Sequence, residues 1–394
     1  MTNGLSQAVA ITSVNLRSVP RRFAASFVAV VGIAGVVVVL VGVLSIARGF
    51  RAALRSAGDP LTALVMSAGS EEMSSSLPRE SAGLVKDAPG ILRRAHGPVA
   101  SAELFVIVNI SKKSTGTTAN VPLRGIERSG FELRNGARIV AGRPFEVGRY
   151  EIVAGRAAAR QFEGLELGRS VRWGANDWTV VGILEAGGSV SESELLCDVG
   201  VLQPAYRRTT FNSVRVRLES PEAFTVMKDA LAKDPRLDVA VVRESDYYAE
   251  QSAATTRLIT TIGFTIATLM AAGAVFGAVN TMYSSVAART REIATLRALG
   301  FGGAAVVASV LAESIALAAA GGVLGSAAAW AALDGYQTTT LNWQSYTQVA
   351  FSFAVTPGLL LQGVAYAMAM GFVGGLLPAV HAARLPIAGA LRGL

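Results

Sequence analysis

The chain has 394 residues, of which 51% are apolar and only 16% charged, and its mean hydropathy is +0.44. That is too apolar for an ordinary water-soluble protein of this length and makes membrane residence the first expectation. The formal net charge of +8 comes from scattered arginines without interleaved aromatic residues. Such a distribution argues against nucleic acid and for solvated surface, anionic lipid headgroups and protein partners.

In chain order, four stretches reach or approach the roughly 20 apolar residues that a helix needs to cross a hydrocarbon core of about 30 Å. They are Phe23 to Ala47, Leu258 to Met282, Ala304 to Leu333 and Val355 to Val380. The first carries no charge and is longer than the apolar region of a secretory signal, so it reads as an uncleaved anchor. Arg17, Arg21 and Arg22 precede it, Arg289, Arg291 and Arg297 lie between the second and third stretches, and Arg384 and Arg392 follow the fourth. Basic residues in short flanks favour the cytoplasm, which puts both termini inside; Arg48 and Arg51 dissent, but long translocated domains escape this rule.

The resulting expectation is an α-helical membrane protein with four transmembrane helices (1+3) and a large mixed α+β extracytoplasmic domain. Its parts are a cytoplasmic N-terminal segment 1–22, helices 23–47, 257–282, 304–333 and 355–380, an external domain 48–256, an inner segment 283–303, an external loop 334–354 and a cytoplasmic tail 381–394.

Within the external domain, Ala102 to Ile110 and Asp177 to Leu184 read as strands, the second preceded by a turn at Gly174. Phe211 to Leu218 alternates, which predicts one buried face, with Arg215 and Arg217 turned to water. A helix over Pro221 to Lys233 with Ser220 as its cap, then a strand from Arg236 to Val242, completes the mixed pattern. Residues 67–81 read as a mobile polar loop, and glycine and proline near 128–150 and 185–194 suggest a core module with an inserted one. After Glu244 the pattern is helical through Tyr247, Tyr248 and Gln251 into the second apolar stretch, either as one continuous helix or as a broken linker.

Few residues offer chemistry. Two histidines, His96 and His381, and the single Cys197 are too few for a histidine or cysteine metal cluster, and no internal disulfide is possible. Cys197 reads as a small buried residue, and Glu192 with Glu194 as a solvated acidic turn. The five lysines, at 86, 112, 113, 228 and 233, never follow a glycine, so there is no phosphate-binding Gly-Lys-Ser/Thr loop. Neither cofactor, metal nor catalytic residue is expected.

Glycines four apart, at 273 and 277, 321 and 325, and 371 and 375, allow close helix packing in each of the last three spans. Glu313 is the ionisable residue inside a span, so it requires a partner or water. It is either paired near the inner interface or a functional intramembrane polar site. In the inner segment, Ile293, Leu296 and Leu299 form a short apolar edge flanked by Arg289, Arg291, Glu292 and Arg297. On pattern alone this is either a topology anchor or a surface for a soluble partner.

The stretch Arg291 to Gly300, followed by Leu311 to Ser314, the ending Leu377 to Arg392 and the opening Asn15 to Arg17, resembles the permease subunits of MacB-like and FtsX-like (type VII) ABC systems. The resemblance covers both ends at motif level and the external domain by position and size. It implies a multi-pass protein of the bacterial inner membrane, a homodimer or one half of a pseudo-symmetric heterodimer, bound to a separate cytoplasmic ATPase that carries the ATP. It also implies that 289–300 is a coupling helix with Arg291, Glu292, Leu296 and Arg297 as main contacts beside Arg289. The implied function is to transmit ATP-driven force to the periplasmic side. There it would export or extract a hydrophobic, lipid-linked or peptide substrate, with a periplasmic adaptor and an outer-membrane channel in some relatives. The alternative is a non-transporting mechanotransmission subunit that activates a cell-envelope hydrolase. The absence of a fused ATPase domain departs from MacB, and the size of the external domain is closer to the efflux and lipoprotein branches than to FtsX.

Overall fold

A computed structural model describes residue 12 and residues 23–134, 136–342 and 345–387. Arg17, Arg21, Arg22 and Arg392, with the opening motif from Asn15, lie outside the described residues. Four helices are long and apolar enough to cross a membrane: α1 (Phe23–Arg55), α6 (Glu244–Ala288), α8 (Gly303–Leu333) and α9 (Pro357–Arg384). The chain divides into two compact units.

One unit comprises the described residues of Met1–Ala47, Leu258–Tyr336 and Phe353–Leu394. Its packing depends on glycine, because nothing but hydrogen lets helix backbones approach this closely in an apolar medium. A Cβ on Gly321 would meet Val30 O at 2.8 Å, and one on Gly325 would meet Ala34 O at 2.5 Å, so α8 lies against α1 there. Gly371 and Gly375 bring α9 onto Ala318 and Ser314 of α8 in the same way, and Ser314 Oγ donates to Gly371 O at 2.7 Å. Gly273 and Gly277 differ from the expected pattern. Among the described residues a Cβ on either would meet nothing within 4 Å outside its own turn of helix, and α6 uses Gly263, against Val43, and Ala278, against Gly374, instead.

The other unit comprises Arg48–Arg257 and Gln337–Ser352. Its strands are β1 (Thr62–Ser67), β4 (Ala100–Ser111), β5 (Thr118–Ile126), β6 (Arg138–Gly142), β7 (Glu151–Gly155), β8 (Ser170–Trp173), β9 (Asn176–Glu185), β10 (Leu195–Asp198), β11 (Ser213–Arg217) and β12 (Val239–Arg243). They form one sheet in the order β12-β1-β11-β4-β5-β10-β7-β9-β6, with β8 paired to β9 through the Gly174 turn. A small hairpin, β2 (Arg93–Arg94) with β3 (Gly97–Pro98), stands apart from it. The glycine- and proline-rich stretch 128–150 contains β6, and 185–194 joins β9 to β10. Trp178, Phe162, Leu123 and Ile152 are fully buried in its core. Short helices α2 (Arg79–Lys86), α3 (Arg156–Gln161), α4 (Val199–Ala205) and α5 (Ala223–Lys233) complete it. Asp198 caps α4 by accepting from Gly200 N at 3.1 Å.

Several expectations change. Residues 67–81 are not a loose loop: Glu72 and Ser75 are buried, and α2 starts at Arg79. Helix α5 begins two residues later than expected, with Glu222 and not Ser220 at its cap position. The external loop 334–354 is largely a hairpin, β13 (Gln337–Asn342) and β14 (Thr347–Ser352), whose Ala350 N donates to Ser193 Oγ at 2.8 Å. Arg215 does not face water. Ser213 to Val216 are all buried, so both faces of β11 are covered, and Arg215, 2% exposed, meets Glu244 of α6. Arg217 is half-buried and pairs with Asp59 at 2.6 Å. Glu192 and Glu194 are buried, and Glu192 accepts from Ala186 N and Gly188 N, each at 2.8 Å.

Candidate coupling segment and buried charge cluster

Helix α6 runs 45 residues without a break and ends at Ala288. Arg289, at φ −116° and ψ 15°, leaves helical geometry and starts the short helix α7 (Thr290–Ala298). Its guanidinium turns inward: Nη1 donates to Glu313 Oε2 at 3.0 Å and Nε to Glu292 Oε2 at 3.2 Å. Arg289 and Glu313 are both more than nine-tenths buried, so each charge is matched where an isolated one would be costly. Ser285 Oγ lies 3.5 Å from Glu313 Oε1.

The remaining predicted coupling residues separate into two sets. Arg291 and Glu292 are exposed, while Leu296 and Arg297 are half-buried, with Arg297 Nη1 donating to Leu385 O at 2.8 Å. Of the apolar edge, Ile293 is 8% exposed and Leu299, just past the end of α7, 73%, so the edge is buried at its start and open at its end. A cavity of about 470 Å³ runs beneath it, walled by Val286, Ile293, Leu296, Phe301 and Val310. The segment is thus a short amphipathic peg, clamped at its root by the Arg289–Glu313 pair, with charged side chains on its open face.

In the sheet-bearing unit, residues to which the sequence assigned no common site, Arg215 and Glu194 among them, form a second constellation. Arg124 on β5 donates through Nη1 to Glu72 at 2.5 Å and to Glu103 at 3.2 Å, and through Nη2 to Glu194 at 3.0 Å. Its guanidinium lies 5.0 Å from the centre of the Phe105 ring. Arg134 reaches Glu103 at 3.3 Å, and Arg215 reaches Glu244, the first residue of α6, at 3.1 Å. Glu244 also accepts from Asp59 N at 3.1 Å, and Ser213 Oγ donates to Glu72 at 2.8 Å.

All seven of these groups are buried, and at Glu244 burial outweighs the Arg215 guanidinium, so its carboxyl is pushed up to about 7. Burial alone would push the Glu103 carboxyl up, but Arg134, Arg215 and Arg124 outweigh it and hold it down at about 2. The same opposition of burial and carboxylates keeps Arg124 and Arg215 well above their ordinary values. With every carboxylate engaged by a guanidinium, the cluster ties the strands to one another and to the first turn of α6. Among the described residues no group of three or more His, Cys, Asp or Glu could hold a metal ion. Cys197 is a buried free thiol pushed up by burial.

Four apolar helices, a mixed α/β external domain and a charged helix between the second and third spans define a membrane permease. Family models specify which: the MacB-like periplasmic core domain matches residues 26–234, and the FtsX-like permease C-terminal region matches residues 264–387. The first covers more than half of the chain, which belongs to the MacB/FtsX-like (type VII) family of ABC transporter permeases. Permeases of this kind are non-catalytic and work with an ATPase.

Among its relatives, the uncharacterized ABC transporter permease YknZ of Bacillus subtilis is 26% identical over 318 residues, covering 75% of this chain and 74% of YknZ. The macrolide export ATP-binding/permease protein MacB 1/2 of Paracoccus denitrificans is 25% identical over 320 residues, and the match covers 76% of this chain and 46% of MacB. The solved extracellular domain of YknZ from Gram-positive bacteria aligns at 18% identity with a TM-score of 0.33, over 46% of this chain and 99% of that domain.

Proposed function

We propose that the chain is the force-transmitting subunit of an ABC exporter. It spans the membrane four times, one helix before and three after the external domain, with both termini in the cytoplasm. A separate ATPase, bound at the open face of α7, changes shape with ATP hydrolysis; α7 moves with it, and α6 carries the displacement to the external domain. There a change of shape drives export or extraction of a hydrophobic, lipid-linked or peptide substrate. A second copy of the chain completes the assembly, and a periplasmic adaptor is a further partner.

The observation that carries this reading is α6 itself: one helix begins in the buried charge cluster at Glu244 and ends one residue before the peg. Its test is co-purification with a cytoplasmic ABC ATPase and measurement of coupled ATP hydrolysis in nanodiscs. Arg291→Glu and Glu292→Arg, both on the exposed face, are expected to lose permease-stimulated hydrolysis while inserting normally. Undiminished stimulation in both variants would remove α7 as the docking element.

A further inference from the structure

The far edge of the sheet is not used by the coupling scheme. Strand β6 is antiparallel to β9 on one side, and no described strand pairs with its other side. Four of its five residues are exposed, and Val140 is 44% exposed. An edge of this kind offers a row of backbone donors and acceptors that another chain can complete, and proteins usually block it with a charge, a proline or a covering element. Here Arg138, at the start of the strand, is the one charged residue and pairs with Glu185, and Ile139, Val140, Ala141 and Gly142 carry no charge. A bulge between Ile139 and Ala141 shortens the regular edge, so an added strand gains few hydrogen bonds from the backbone alone.

What supplies the rest is beside it. A cavity of about 480 Å³ opens along Arg138 and Ile139, with Phe131, Phe145 and Leu184 in its wall. The two phenyl rings are 5.2 Å apart, and the volume is within the range of sites that take up a large apolar group. Charges on the rim are mostly neutralised: Glu132 by Arg94 at 2.9 Å, Arg138 by Glu185 at 2.8 Å and Glu146 by Arg149 at 3.0 Å. Arg128, exposed on the same rim, has no side-chain partner among the described residues. The uncompensated charge at the cavity is therefore positive.

We propose that β6 and the Phe131–Phe145 cavity form a docking site for an extended peptide segment of a partner protein. The segment adds as a strand to β6, places an aromatic or large aliphatic side chain in the cavity, and sets an adjacent aspartate or glutamate against Arg128. Strand addition gives the orientation, and the cavity and the charge give the selectivity. With so short an edge, the contact is of the weak, reversible kind.

The test is selection of phage-displayed random octapeptides on the full chain in nanodiscs, followed by Kd measurement on synthetic peptides. Enriched peptides are expected to share a large apolar residue next to an acidic one. Val140→Lys, which puts a charge on the edge, is expected to weaken them about tenfold, or about 1.4 kcal/mol. Arg128→Glu is expected to turn the selected acidic residue into a basic one. Both positions are exposed, so unchanged thermal unfolding checks that the fold is intact. An absent consensus, or a consensus indifferent to both substitutions, overturns the proposal. Neither outcome touches the coupling scheme, whose test is read in ATP hydrolysis.

Discussion

Arg124 joins three buried carboxylates, Glu72, Glu103 and Glu194, that would otherwise face one another. Removing one partner of a buried ion pair typically costs about 3–5 kcal/mol, because the charge left behind cannot reach water. Arg124→Met is therefore expected to lower external-domain stability by at least that amount, read by denaturant unfolding through the fluorescence of buried Trp178. Arg124→Lys is expected to recover little, since a single ammonium cannot reproduce a fork that serves three acceptors. The same residues set a pH dependence. Glu103 is held at about 2 against an ordinary value of 4.5, so its stabilisation is complete above pH 4.5 and is lost as pH falls through the folded value. Glu72, also lowered, acts in the same direction. The unfolding midpoint should then fall steadily below pH 4.5. A midpoint flat down to pH 3 would mean that these carboxylates are not ionised partners of the arginines.

At the scale of elements, glycine spacing and glycine function diverge. A Cβ on Gly325 would run into the α1 backbone, whereas one on Gly277 would meet nothing within 4 Å outside its own turn of helix among the described residues. Gly325→Leu is expected to push α1 from α8 and to lower the thermal midpoint in detergent by several degrees, while Gly277→Leu leaves the isolated chain unchanged; equal effects would contradict the packing. The three motifs look alike in the sequence because spacing fixes which residues share a helix face but not what that face meets. The long elements were legible for the opposite reason: apolar length identifies four spans whatever their neighbours. Strands β4, β9 and β11 were legible from apolar density and alternation. The charge cluster was not, because its members are distant in sequence and meet only when β4, β5 and β11 lie side by side. A faint signal did exist in Glu103, an acid inside an otherwise apolar strand, which can be buried only if something pairs with it. Arg215 was misread since alternation predicts one dry face and takes the other to be wet, which fails for a strand in the interior of a covered sheet.

For the molecule as a whole, the question is how work done at α7 would become a change in the external domain. The stretch of α6 from Gln251 to Leu258 is the place to ask it, because a helix carries force along its axis only while its hydrogen-bond ladder is intact. Proline inside a helix removes one such bond and clashes with the preceding turn, at about 3 kcal/mol, and so bends or breaks the helix locally. Ala254 is exposed within this stretch, so Ala254→Pro strikes the ladder with little loss of packing, and Ala254→Ser serves as a control of similar size. If α6 is the transmission element, the proline variant should insert, bind the ATPase and support stimulated ATP hydrolysis, yet fail in export. The serine variant should behave as the parent. Loss of hydrolysis together with export would instead indicate that the ATPase senses the state of the external domain through the same helix. Export at the parental rate in the proline variant would show that the motion travels by another route, and the continuity of α6 would then be a matter of stability alone.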